Sequence, residues 1–189
     1  MDTKIQSSGS KEGSIPPYET RTIALVGLMG AGKSTVGRRL ASALGREFYD
    51  SDDEIETAAG LSISDIFALH GEAEFRRGER RVLERLLKNP PHILATGGGA
   101  YLDPNTRALL RKCAVTVWLN ADLETLWERV NRRNHRPLMK TPDARGVLTR
   151  LLKERTPIYS EADLVIDSVD GAHSTTVQKI ITAVKNWTP

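Results

Sequence analysis

The segment Gly27-Leu28-Met29-Gly30-Ala31-Gly32-Lys33-Ser34 fits the pattern G-x-x-x-x-G-K-S/T. Glycines at this spacing let successive backbone N–H groups converge on phosphate oxygens with no Cβ in the way. A helix opening behind them adds the positive end of its dipole. Lys33 can then reach the β and γ oxygens of a nucleoside triphosphate, and the hydroxyl of Ser34, followed by Thr35, can ligate Mg²⁺. A second cluster, Phe48-Tyr49-Asp50-Ser51-Asp52-Asp53, carries carboxylates two residues apart. Asp50 could hold Mg²⁺ through its water shell while Asp52 meets an acceptor hydroxyl. Equally, Asp52 or Asp53 could cap a helix running on through Glu54 and Ile55.

Both clusters need a scaffold that brings strand ends together, and the hydropathy pattern supplies one. From Arg21 onward, short apolar runs alternate with helical periodicity, the signature of βα units and a parallel sheet. Strands are expected at Thr22–Val26, Glu47–Tyr49, His92–Ala95, Ala114–Leu119 and Leu164–Ile166. Helices are expected at Lys33–Leu44, Asn105–Lys112, Asp122–Val130, Gly146–Glu161 and Ser174–Trp187. Three further helical patterns, Asp53–Ala59, Ser64–His70 and Glu72–Lys88, follow one another with no strand between them, the second capped by Ser62 or Ser64. They are expected to form a helical projection beside the sheet, with a substrate-binding region over residues 50–90. The stretch 131–145 holds five arginines or lysines and two prolines without periodicity and reads as a long functional loop. The expected fold is therefore α/β: a P-loop NTPase-like doubly wound sheet of five parallel strands flanked by helices. It forms a single domain over residues 21–189, preceded by a disordered or loosely attached polar tail over residues 1–20.

Composition narrows the partners. At 189 residues and 39% hydrophobic content the chain suits one core. Of its 27 basic residues 18 are arginine, the side chain suited to bidentate capture of phosphate and carboxylate. Cys113 is the one cysteine, so no internal disulfide can form, and a reducing, cytoplasmic setting is expected. The four histidines stand far apart, no apolar run approaches 18 residues, and the basic residues gather around the long loop rather than along an aromatic strand face. The expectation is a monomer acting on small molecules, with neither nucleic acid nor membrane as partner.

Four later motifs, Glu74-Phe75-Arg76-Arg77, Gly97-Gly98-Gly99-Ala100, Arg136-Pro137-Leu138 and Arg155-Thr156-Pro157-Ile158-Tyr159, follow the first two in order. With them, Thr22 to Pro189 closely resembles the shikimate kinases. That resemblance implies transfer of the γ-phosphate of ATP to the 3-hydroxyl of shikimate, with Mg²⁺ as cofactor. Residue by residue it implies that Gly27, Gly30, Ala31, Gly32, Lys33, Ser34, Thr35, Arg129 and Arg136 serve the nucleotide, with Ser34 and Asp50 on the metal. It also implies Asp52 as the base at the acceptor hydroxyl, Arg76 and Arg155 as a carboxylate clamp, and Gly97, Gly98 and Gly99 as a close backbone approach to the ring. Arg136 matches the family's lid arginine, Phe67 and Phe75 would flank the ring, and Glu79 would orient Arg76. Against this pattern, no acidic residue directly follows the third strand, where Thr96 precedes Gly97, and Asp122 after the fourth strand could supply one. A gluconate or nucleoside monophosphate kinase shares the phosphate loop and a basic lid. A nucleotide-switched binding protein shares the loop, but the N-K-x-D guanine signature is absent.

Overall fold

The computed structural model describes residues 18–131, 143–168 and 173–188. Its centre is β1 (Thr22–Val26), in which every residue of the run TIALV is buried. A parallel strand covered by helices on both faces meets no water on either side, so an unbroken apolar run fits where an alternating one would not. Around it lie β2 (Phe48–Asp50), β3 (Ile93–Ala95), β4 (Ala114–Asn120) and β5 (Leu164–Asp167), in the order β2-β3-β1-β4-β5. All four pairings are parallel.

The register places the chemistry. Leu25 of β1 and Asp50 of β2 both pair with Ala95 of β3, so these strands finish at one level. On its other side β1 pairs with β4, Val26 opposite Trp118. The loop leaving β1 therefore emerges where neighbouring connections diverge to the two halves of the sheet, the usual ligand crevice of an open α/β sheet. Helices α1 (Lys33–Leu44) and α7 (His173–Lys185) pack on each other. The others are α2 (Ser51–Ala59), α3 (Ile63–Leu86), α4 (Pro104–Cys113), α5 (Leu123–Asn131) and α6 (Ala144–Tyr159), with a 3₁₀ turn at Ala100–Leu102.

All five expected strands are present, and the departures lie at boundaries with local causes. Helix α2 starts at Ser51 because its cap is Asp50, whose carboxylate accepts the Asp52 N–H at 3.1 Å; neither Asp52 nor Asp53 has that role. The two expected helices from Ser64 to Lys88 form the single run α3, which Gly71 interrupts at φ 76° and ψ 173°. Its cap is Ser62, whose Oγ accepts from the Asp65 N–H at 3.1 Å. Of the expected tail of residues 1–20, the structure describes residues 18–20. Tyr18 is buried, its carbonyl accepts from Arg46 at 3.0 Å, and the Arg46 guanidinium lies 6.0 Å from its ring. At the two ends of the stretch 131–145, expected to be a lid, Asn131 closes α5 and Ala144 opens α6. Residues 1–17 and 132–142, including Arg136, lie outside the described residues.

The α2–α3 projection is held down by its own apolar stripe. Phe75, Val82, Leu83 and Leu86 of α3 are buried, Leu83 completely, while Leu69, just before the Gly71 interruption, is two-thirds exposed. Emptying a buried leucine position removes its transfer free energy and leaves a cavity, together about 2–5 kcal/mol. Leu83→Ala should lower unfolding free energy by about that amount, read from urea denaturation. A midpoint unchanged from the parent would mean that this stripe does not anchor the projection.

Candidate active site

Gly27 opens the phosphate loop with φ +135°, and a Cβ built there would stand 2.8 Å from the Leu119 carbonyl oxygen. Both conditions exclude an ordinary side chain. Gly30 and Gly32 also take positive φ, Ala31 is buried, and α1 begins at Lys33 with Thr35 in its first turn. The loop folds around its own lysine: Lys33 Nζ donates to the carbonyls of Gly27 at 2.7 Å and Leu28 at 3.0 Å. Arg129 reaches the loop from α5 and donates to Ala31 O at 3.5 Å and to Ser168 Oγ at 3.0 Å. Ser168, buried just past β5, donates in turn to Ala31 O at 3.1 Å.

The end of β2 joins this loop directly. Ser34 Oγ donates to Asp50 Oδ2 at 2.6 Å, while the other oxygen of Asp50 caps α2. Two hard oxygen donors, one of them a carboxylate, stand together at the mouth of the loop, the donor chemistry Mg²⁺ prefers. The candidate acid beyond β4 is engaged elsewhere: Asp122 Oδ1 accepts the Thr125 N–H at 2.8 Å, and this bond holds its carboxyl below the usual range. Thr96, after β3, donates its hydroxyl to Leu25 O at 3.0 Å.

Asp52 begins the part of the candidate site expected to face the acceptor. A Cβ on Gly97 would meet Asp52 Oδ1 at 2.6 Å and Glu79 Oε1 at 3.2 Å, so the glycine backbone lies against both carboxylates. The Gly97 N–H donates to the buried hydroxyl of Ser51 at 2.9 Å. A Cβ on Gly98 would lie 3.5 Å from the backbone nitrogen of Met29, and one on Gly99 would collide with the Arg76 guanidinium. Arg76 pairs with Glu79 at 2.7 Å, and Arg155 donates to Gly98 O at 3.4 Å. The glycine turn thus has the two expected clamp arginines on its Gly98 and Gly99 sides, Asp52 on its Gly97 side and the phosphate loop behind it. The two phenylalanines differ: Phe75 is core, Phe67 is 37% exposed, and their ring centroids stand 4.5 Å apart.

A family model described as shikimate kinase matches residues 29–185. The chain belongs to the shikimate kinase family. It is 56% identical over 161 residues to the shikimate kinase of Paramagnetospirillum magneticum, covering 85% of this chain and 83% of that one. To the shikimate kinase of Caulobacter vibrioides it is 53% identical over 171 residues, covering 90% and 86%. Its fold superposes with TM-score 0.84 on the shikimate kinase from Acinetobacter baumannii in complex with shikimate, at 43% identity over 88% of this chain and 94% of that one. Membership selects ATP-dependent phosphorylation of shikimate over the gluconate kinase and nucleotide-switch alternatives.

Within this shikimate kinase site the buried pair has an uneven charge balance. Burial works against the positive charge of Arg76, but Glu79 and Glu72 outweigh it and hold the guanidinium protonated. For Glu79, 1% exposed, burial dominates and raises its pKa above the ordinary 4.5; Arg76 lowers it, and the nearby Asp52 and Asp103 raise it again. Glu79 Oε1 has no hydrogen-bond partner among the described residues. Ser51, Ser168 and the role of Tyr159 escape a reading of motifs, because a serine at a strand end carries no signal of its own. Only the i, i+4 spacing of Arg155 and Tyr159 hints that both face one way.

Ionised Glu79 holds Arg76, and its raised pKa means this charge is lost earlier as pH falls. Activity measured as kcat/KM for shikimate should therefore decline on an acidic limb above the ordinary carboxylate range. A carboxyl whose folded pKa exceeds its unfolded value loses stability as pH rises through the folded pKa. Glu79→Gln should therefore keep or raise the melting temperature at pH 7 while weakening shikimate binding. An acidic limb that is the same in parent and Glu79→Gln would show that this carboxyl does not govern the clamp.

Proposed function

We propose that this chain transfers the γ-phosphate of ATP to the 3-hydroxyl of shikimate by an in-line displacement, with the labour divided between two halves of one crevice. The observation that carries this reading is the convergence of Asp52, the Gly97–Gly99 turn, Arg76 and Arg155 beside the Ser34–Asp50 pair of the phosphate loop. Asp52 orients the acceptor hydroxyl and takes its proton as the new O–P bond forms. The bond between the γ-phosphorus and the bridging oxygen breaks, and ADP leaves. Arg76 and Arg155 receive the ring carboxylate, for which paired guanidinium forks are suited. The bare backbone of Gly97 to Gly99 admits the ring close to the main chain.

On the donor side the backbone N–H groups from Gly27 to Ser34 and the start of α1 receive the phosphates, with Lys33 and Thr35 beside them and Arg129 against the nucleotide. Arg136 is assigned to the transferring phosphate by the family resemblance, closing over it so that water does not compete. Ser34 and Asp50 would hold Mg²⁺, which when bound neutralises charge on the phosphate oxygens. The proposed working form is a cytoplasmic monomer without nucleic-acid or membrane partners. No helix among the described residues is long and apolar enough to cross a membrane.

A coupled ADP-release assay with ATP and Mg²⁺ should show turnover that depends on shikimate and is not elicited by gluconate or AMP. General-base assistance contributes about 10²–10⁴ in rate, so Asp52→Asn should lose on that order in kcat while nucleotide affinity is nearly unchanged. Near-normal turnover in Asp52→Asn would remove that residue from the role. Arg76→Ala and Arg155→Ala should raise the KM for shikimate far more than the KM for ATP; a defect confined to ATP would refute the clamp.

A further inference from the structure

Tyr159 is the last residue of α6, 1% exposed, and its hydroxyl donates to the carbonyl oxygen of Gly98. That same carbonyl is the acceptor for Arg155, one helical turn earlier. Two side chains of one helix face thus meet on one backbone atom of the glycine turn. The turn is also held from the opposite side, where Ser51 receives the Gly97 N–H.

The ring of Tyr159 has a second set of contacts. It stacks on Trp118 with centroids 6.0 Å apart and on Tyr101 at 6.5 Å. Trp118 in turn covers the opening of the phosphate loop: its Cδ1 would lie 3.2 Å from a Cβ on Gly27. Gly98 itself approaches the loop backbone at Met29. Tyr159 therefore touches the acceptor turn with its hydroxyl and the support of the donor loop with its ring.

We propose that Tyr159 is a positioning residue for phosphoryl transfer, whose hydroxyl fixes the Gly98 carbonyl and so sets where Arg155 and the glycine turn stand against the phosphate loop. Hydroxyl and ring have separable jobs. The ring fills the core between Tyr101 and Trp118, while the hydroxyl, the one polar atom of the side chain, points to the turn. Its buried surroundings raise the phenol pKa, outweighing Arg155 and Arg76, so it stays a donor throughout the working range. Without that donor Gly98 O keeps, among the side chains of the described residues, the 3.4 Å bond from Arg155, and the arginine is drawn into holding the turn instead of the substrate carboxylate.

The inference rests on the acceptor-side reading of Arg155 given above, and Tyr159→Phe separates the two. This variant keeps the ring and removes only the hydroxyl. One hydrogen bond of about 1–1.5 kcal/mol corresponds to roughly tenfold. The KM for shikimate should accordingly rise about tenfold and the KM for ATP change by less than about twofold. The melting temperature should fall by about 2–6 °C, which is what one lost hydrogen bond costs a domain of this size, with the fold kept at assay temperature. Tyr159→Leu, which removes the ring as well, should lower the melting temperature and weaken use of both substrates. An unchanged shikimate KM in Tyr159→Phe, an equal rise in both KM values, or loss of the fold at assay temperature would each overturn the proposal. Absence of shikimate-dependent ADP release in the parent enzyme would instead overturn the functional reading beneath it.

Discussion

Three consecutive residues without side chains set how closely the parts of this site can approach. A Cβ at Gly97 would stand 2.6 Å from the Asp52 carboxylate, one at Gly99 would overlap the Arg76 guanidinium, and one at Gly98 would press towards the backbone of Met29. Acid, base and phosphate loop share this turn only because no Cβ occupies the space between them. The strand register then becomes consequential. Because β1, β2 and β3 end at one level, the turn after β3 falls between the loop after β1 and the acid-bearing end of β2.

Charge in the same space is arranged at some cost to the fold. Glu79 is buried with one oxygen on Arg76 and the other without a hydrogen-bond partner among the described residues, a condition that burial alone would penalise. The arrangement holds Arg76 in place before any anionic ligand arrives. Asp50 shows the opposite economy: one carboxylate caps α2 and receives the Ser34 hydroxyl, so the residue proposed for the metal is already fixed by the fold. Active sites commonly hold such perturbed groups, and here the cost of burial falls on Glu79, beside Arg76 and Asp52.

The sheet was legible because each strand is a short apolar run flanked by turn residues, and the phosphate loop because its glycines and lysine sit between a strand and a helix. Boundaries were less legible. Whether Asp50, Asp52 or Asp53 caps α2 depends on where β2 stops, and that is decided by pairing with β3 rather than by local preference. The projection was visible as three helical patterns, and the non-helical Gly71 explains why the single run α3 reads as two of them. What no motif could reveal was tertiary: that Ser51 serves the Gly97 amide, that Ser168 braces Arg129, and that Tyr159 ends on Gly98. These three bonds join residues 46, 39 and 61 positions apart in turn, and depend on packing that periodicity does not encode.

The position of α6 in the chain has a consequence for biosynthesis. The phosphate loop, Asp52, Arg76 and the glycine turn have all been translated by residue 99, whereas Arg155 and Tyr159 come after β4 and α5. A nascent polypeptide released from the ribosome before α6 would carry the nucleotide loop and the acceptor acid but neither the second arginine nor the tyrosine that steadies the turn. Premature termination in that interval therefore yields a chain without the second arginine of the proposed clamp, so that synthesis of roughly the final quarter of the chain completes the candidate site.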